Sequence, residues 1–168
     1  DDRVFVVEDT RELRLQLVRG VELEVTRHND ANLTMRDAIK SALRNAPTRI
    51  VVGEIRDDQA LNAYLELLEA GFRGGITTLH AGSAQDTLFR AEMMLMRAGQ
   101  APTLDVARSI VRRALSWFAY CEKSKPDGRR RVAELAAIHD GEAHLIWAWN
   151  GHGWDCDTDA LRALAARL

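Results

Sequence analysis

The sequence predicts an α/β fold, with strands and helices alternating through a parallel, three-layer sheet and an antiparallel meander appended after Pro102. Three observations predict it. Short apolar or β-branched runs recur at residues 4–7, 49–52 and 76–80, as expected of buried parallel strands. Stretches with helical spacing separate and follow these runs. Beyond Pro102 the texture changes to strand patterns divided by turn residues. The 168 residues, 46% apolar and 29% charged, suffice for one well-cored domain. Residues 1–102 would form its alternating core and 103–168 its carboxyl-terminal helix and strands.

Val4 to Val7 is a continuous apolar run emptying into Glu8-Asp9-Thr10, and its place near the start of the sequence suggests that the chain opens inside a larger fold. Residues 21–28 alternate loosely, as an edge strand with one wet face does. Thr34 and Asp37 form a near capping box for a helix over about 34–45, which stops before Pro47. Arg49 to Val52 is the next strand, and Leu61, Tyr64, Leu65 and Leu68 then mark an amphipathic helix over 57–70, ended by Gly71. Gly74-Gly75 leads into the strand at 76–80. Ser83 and Asp86 then cap a helix bearing Leu88, Phe89, Met93 and Met96. A helix near 103–115 runs into the strand-like segment 117–121; Pro126-Asp127-Gly128 makes a turn, strands follow at 131–138 and 143–149, and the tail from 158 to 168 is helical.

The formal charge of −2 supplies no global field toward nucleic acid or an acidic bilayer. No apolar run approaches the length of a transmembrane helix. Cys121 and Cys156 lie in no metal-like spacing and suit reduced thiols. His139, His144 and His152 lack tight ligand spacing, the cluster Arg129-Arg130-Arg131 reads as a solvated turn, and Trp147 and Trp149 read as one core-facing side of a strand. Direct nucleic-acid binding is therefore not expected. Arg36 and Arg44 would face water.

In an open parallel sheet, ligands collect beyond the carboxyl ends of the strands. Three strands here finish in chemically capable groups: Glu8-Asp9, Glu54, and Thr78 with His80. One acid after a strand is ordinarily a helix cap or a solvated charge; three convergent ends in succession point to a site. Beside a triphosphate, a carboxylate can bind Mg²⁺ directly or through water, or can orient and deprotonate the attacking water. Glu8 and Glu54 suit those tasks. His80 reads either as a partner of the terminal phosphate or as a polar strand-end residue bonded to backbone.

The ordered segments RVFVVEDT, TMRDAIKSALRNAPTRIVVGEIRDDQAL and GFRGGITTLHAGSAQDTLFRAEMM resemble the traffic ATPases of type II and type IV secretion, most closely the conjugative-transfer and type IV branch. They correspond to that family's acidic box, atypical Walker B segment and histidine box. The resemblance covers about residues 3–98, and GRRRVAEL extends it to about 140. It implies a RecA-like core, partial here, with Glu8 as the acidic-box carboxylate, Glu54 as the catalytic base and His80 as the link between nucleotide state and conformation. It also places Arg56 and Thr78 at the nucleotide and Mg²⁺ at Glu8 and Glu54, through water or directly. For Arg56 a strand-end salt bridge is the alternative. The family's members form homohexameric rings at the cytoplasmic side of the inner membrane, among secretion-machinery components.

Three departures are mild: Thr48 after Pro47, Arg73 before the glycine pair, and Gly82 after the histidine-box alanine. A larger one is that no G-x-x-x-x-G-K-[ST] segment occurs in these residues, whose lysines are Lys40, Lys123 and Lys125. That loop supplies backbone N–H donors, a lysine and a Mg²⁺-binding hydroxyl to the phosphates. ATP and Mg²⁺ are thus expected in an intact motor, and neither nucleotide binding nor turnover by these residues alone. The alternative function is a non-catalytic interaction or regulatory module descended from such an ATPase.

Overall fold

The computed structural model describes residues 2–16, 20–25, 33–123 and 128–165. The first strands are β1 (Val4–Glu8), β2 (Gly20–Glu24), β3 (Arg49–Val52) and β4 (Gly75–Thr77), all parallel and hydrogen-bonded in the order β2-β1-β3-β4. Strand alternation divides the sheet. Phe5, Val7, Ile50 and Val52 point into the core, where they join Ile39 of α1 (Met35–Arg44) and Leu61, Tyr64 and Leu65 of α2 (Asp58–Glu69). On the opposite face Val51 is half-buried and Ile76 is 63% exposed. Val4, Leu15, Arg49, Val51, Arg73 and Ile76 line a groove there.

The helices start where the sequence predicts, for identifiable reasons. Thr34 Oγ1 accepts from Asp37 N–H at 3.1 Å and Asp37 Oδ2 accepts from Thr34 N–H at 3.2 Å, so the capping box is complete. The Thr34 hydroxyl also donates to Asp37 Oδ2 at 2.6 Å, and this bond first, then the one from Thr34 N–H, holds the Asp37 carboxyl below its usual range. Asp57 caps α2 through Ala60 N–H, and Ser83 caps α3 (Ala84–Arg97) through Asp86 N–H. Thr103 does the same for α4 (Leu104–Ala114). Met94 is buried in α3 as helix packing requires, while Phe89 on the same helix is 58% exposed. Arg36 and Arg44 face water as expected.

Tyr64 lies 2% exposed against the start of β4, and burial pushes its phenol well above the usual range. The sign follows directly: the unfolded phenol ionises near about pH 10, whereas the folded one keeps its proton longer. The stability it contributes is complete below the unfolded value and lost as pH rises above it. The melting temperature should therefore fall more steeply above about pH 10 in the native protein than in Tyr64→Phe; equal slopes would exclude this source.

The carboxyl-terminal strands form a sheet of their own, antiparallel in the order β5-β6-β7-β8: β5 (Trp117–Lys123), β6 (Arg130–His139), β7 (Glu142–Trp149) and β8 (Trp154–Cys156). The helix α3 touches both α2 and strands of this second sheet, so helices separate the two sheets. The turn Asp140-Gly141, with φ of 51° and 77°, joins β6 to β7. The residues expected to form the 126–128 turn lie mostly outside the described ones, as do 26–28 and 166–168. A short helix α5 (Thr158–Ala165) follows β8.

The strand expected over 76–80 ends at Thr77. Trp147, expected on the core-facing side, does not pack there: it is 41% exposed, and Ile146 is the buried residue at 1%. A bulge opposite Leu135 and Ala136 inserts Ile146 between paired residues and shifts the alternation. Trp147 Nε1 donates to Cys156 Sγ at 2.8 Å, Trp149 meets Trp154 edge to face, and the Arg131 guanidinium lies over Trp149.

Candidate functional site

The ends of β1, β3 and β4 meet through backbone bonds before any side chain is considered. Gly53 N–H donates to Val7 O at 2.8 Å and Ile55 N–H to Thr78 O at 3.0 Å. Thr78 Oγ1 donates to Gly53 O at 2.7 Å, tying the exit of β4 to the exit of β3. Thr78 thus spends its hydroxyl on the scaffold.

Glu54 stands at the centre of what this junction presents. Its side chain is 17% exposed. Arg56 Nε and Nη2 both lie 2.6 Å from Glu54 Oε2, and His80 Nε2 lies 2.8 Å from Oε1. The His80 contact is a close pair rather than an aligned hydrogen bond, and among the described residues Oε1 has no hydrogen-bond partner. His80 itself is 85% exposed, reaching over Glu54 from the loop after β4. Arg56 Nη1 donates to Asp9 Oδ2 at 2.7 Å. One guanidinium therefore bridges two carboxylates; the hydrogen bond to Glu54 first, and then the charge of Asp9, raise its already high basicity.

Glu8 takes a different task. It is 5% exposed, and its Oε1 accepts from Glu12 N–H at 3.0 Å and Leu13 N–H at 2.9 Å, which anchors the loop leaving β1. Its side chain lies against Gly53, where an added Cβ would come within 3.1 Å of Glu8 Cγ. Glu8 thus touches the turn that carries Glu54, while Asp9 supplies the charge in the cluster.

Asp9 stands beside Glu8 in the sequence, and its adjacency at the strand end is the signal that marks it. No such signal marks Glu134 of β6, whose Oε2 accepts from Ala84 N–H at 2.7 Å and so fixes the first turn of α3, just after the His80 loop. Nor does one mark Glu92, 2% exposed in α3, with Arg112 Nε at 3.5 Å and Arg108 Nε at 3.8 Å.

Among the described residues no three His, Cys, Asp or Glu side chains converge to hold a metal ion. Both oxygens of Glu54 face nitrogen groups, one of them cationic, so the residues present do not form a direct Mg²⁺ site. The groove beside Ile76 lies on the strands' amino-terminal side, away from Glu54.

Residues 1–154 match the family described as Type II/IV secretion system protein. The chain belongs to that family. Among curated secretion and conjugation relatives, the conjugal transfer protein TrbB of Rhizobium radiobacter is 33% identical over 138 residues, which are 82% of this chain and 39% of TrbB. The type IV secretion system protein PtlH of Bordetella pertussis is 32% identical over 144 residues, 80% of this chain and 41% of PtlH. In fold, the chain is similar to the VirB11 ATPase of the Brucella suis type IV secretion system, with a TM-score of 0.64, 25% identity, and coverage of 99% of this chain and 43% of that one. The pilus retraction motor PilT, solved with bound ADP, shares the fold at a TM-score of 0.61 and 21% identity, over 89% of this chain and 40% of PilT. This secretion-family chain thus spans about two-fifths of the length of the relatives it matches. No described helix is long and apolar enough to cross a membrane.

Proposed function

We propose that these residues form the catalytic-carboxylate part of an ATP-hydrolysing motor for type IV secretion or conjugative transfer. The observation that carries this reading is Glu54, set between Arg56 and His80 where three parallel strands end. In the intact motor Glu54 accepts the proton of the water that attacks the γ-phosphorus, and ADP and phosphate leave. His80, exposed and set against Glu54 through Nε2, reports loss of the γ-phosphate by changing that contact. Glu8 orders the β1 exit, while Arg56 and Thr78 hold Glu54 and the β4 exit in place. Mg²⁺ bound with the nucleotide would supply charge neutralisation. We place the motor, as a homohexamer, on the cytoplasmic side of the inner membrane among secretion-machinery components.

The cluster's own charge argues against nucleotide binding by these residues alone. Asp9 and Glu54 carry two negative charges against the single positive charge of Arg56, and a triphosphate gains no net attraction there. Calorimetry on the 168-residue chain should show ATP affinity weaker than about 1 mM. Tighter binding, with turnover that depends on Glu54, would overturn the assignment of the phosphate anchor to another part of the motor.

The lack of a G-x-x-x-x-G-K-[ST] segment in these residues favours a second reading, a non-catalytic module docking on a secretion motor. The gene sequence upstream of Asp1 decides between them: an in-frame G-x-x-x-x-G-K-[ST] supports the motor.

A further inference from the structure

We propose that Asp9 is a positioning residue for Glu54, acting through Arg56; the proposal rests on the reading of Glu54 as the general base. Arg56 is exposed and long, and such a side chain makes a poor fixed partner unless it is held from more than one side. Asp9 supplies the second hold. Its Oδ2 takes Nη1 at 2.7 Å, leaving Nε and Nη2 to grip Glu54 Oε2 at 2.6 Å, so the planar guanidinium is fixed between two strand exits.

Asp9 is placed well for this. Its side chain is 25% exposed, on a loop anchored by the bonds from Glu12 and Leu13 N–H to Glu8 and, on the far side, by Val25 N–H donating to Glu8 O at 2.7 Å. The charged and titratable groups facing Arg56 are Asp9, Glu54 and, more distantly, Glu12; His80 faces Glu54 from β4's exit. The Asp9 bond thus keeps Glu54 Oε2 occupied by Arg56 and leaves Oε1 to face His80 Nε2 at 2.8 Å.

The test uses the full gene product that carries these residues. Asp9→Asn should lower kcat by about tenfold with little change in KM for ATP, as expected for a misaligned base. Asp9→Glu should restore most of the rate. Arg56→Lys, a point charge that cannot fork between two carboxylates, should reproduce the kcat loss of Asp9→Asn at unchanged KM, and the double variant should be no worse than either single one. A merely structural Asp9 would lower the melting temperature and leave kcat of the folded enzyme in place, which overturns the proposal. Should Asp9→Asn not fold, Arg56→Lys with a native rate overturns it equally. Glu54→Gln separates the two levels: loss of turnover there, with Asp9→Asn and Arg56→Lys native, defeats the positioning role alone. Native turnover in Glu54→Gln defeats the function reading, and this proposal with it.

Discussion

Glu54→Gln in the full gene product should lower steady-state ATP turnover by about 10³-fold, equivalent to about 4 kcal/mol of transition-state stabilisation. The replacement is nearly isosteric and removes the negative charge, and with it the ability to take a proton. Its amide oxygen still accepts from Arg56, and Arg56 keeps Asp9 as an anionic partner at 2.7 Å. The buried support is also untouched, since Gly53 N–H to Val7 O and Thr78 Oγ1 to Gly53 O involve no atom of the Glu54 side chain. Turnover should fall while the elution position in size-exclusion chromatography and the melting temperature stay within experimental scatter of the native protein. Loss of assembly together with turnover would mean that Glu54 holds structure rather than doing chemistry.

The second large effect concerns stability. Gly74→Ala should destabilise the protein by about 3 kcal/mol, because an added Cβ would be driven into the backbone carbonyl of Thr48 and to 3.2 Å from Arg49 Cα. Neither neighbour can swing away, since Gly74 O accepts from Ile50 N–H at 2.9 Å and locks β4's start to β3. Gly75→Ala should cost less. There the added Cβ meets side-chain rather than backbone atoms, at 2.6 Å from the Tyr64 hydroxyl and 2.9 Å from Leu68 Cδ2, and a side chain can shift where a carbonyl held in the sheet cannot. At about 2–4 °C per kcal/mol for a chain of this size, Gly74→Ala lowers the melting temperature by roughly 10 °C. A smaller drop for Gly74→Ala than for Gly75→Ala would contradict this account of the glycine pair, which seats β4 close enough for His80 to reach Glu54.

Much of this was readable in the amino acids because the local rules agreed with the fold. The strands β1 and β3 stand where β-branched runs fall, and α1 to α4 begin at Thr34, Asp57, Ser83 and Thr103, each a capping residue ahead of a periodic stretch. The strand β8 was not readable by alternation, since its three residues are all exposed. The dipeptide Asn150-Gly151 did offer a turn signal: Asn150 Oδ1 accepts from His152 and Gly153 N–H, and Asn150 N–H donates to Gly153 O. That the meander builds a separate sheet depends on where α3 packs, which no local pattern encodes.

In the site, Glu54 and His80 stand out by their place after strands and Arg56 through the family resemblance, and the structure brings the three together. The division of labour between Glu8 and Asp9 was not legible. Period-two alternation stops where a strand ends, so two adjacent acids give no sign of which one turns inward to hold a loop and which reaches Arg56. Glu134 and Glu92 were hidden for a related reason: their partners, Ala84 in one case and Arg108 and Arg112 in the other, lie on different elements.

The most direct test is a crystal structure of the full gene product with a non-hydrolysable ATP analogue and Mg²⁺. The account predicts that the γ-phosphate lies over the exits of β3 and β4, with a water within about 3 Å of a Glu54 oxygen and in line with the γ-phosphorus. A nucleotide bound away from these exits, with Glu54 still closed between His80 and Arg56, would contradict it.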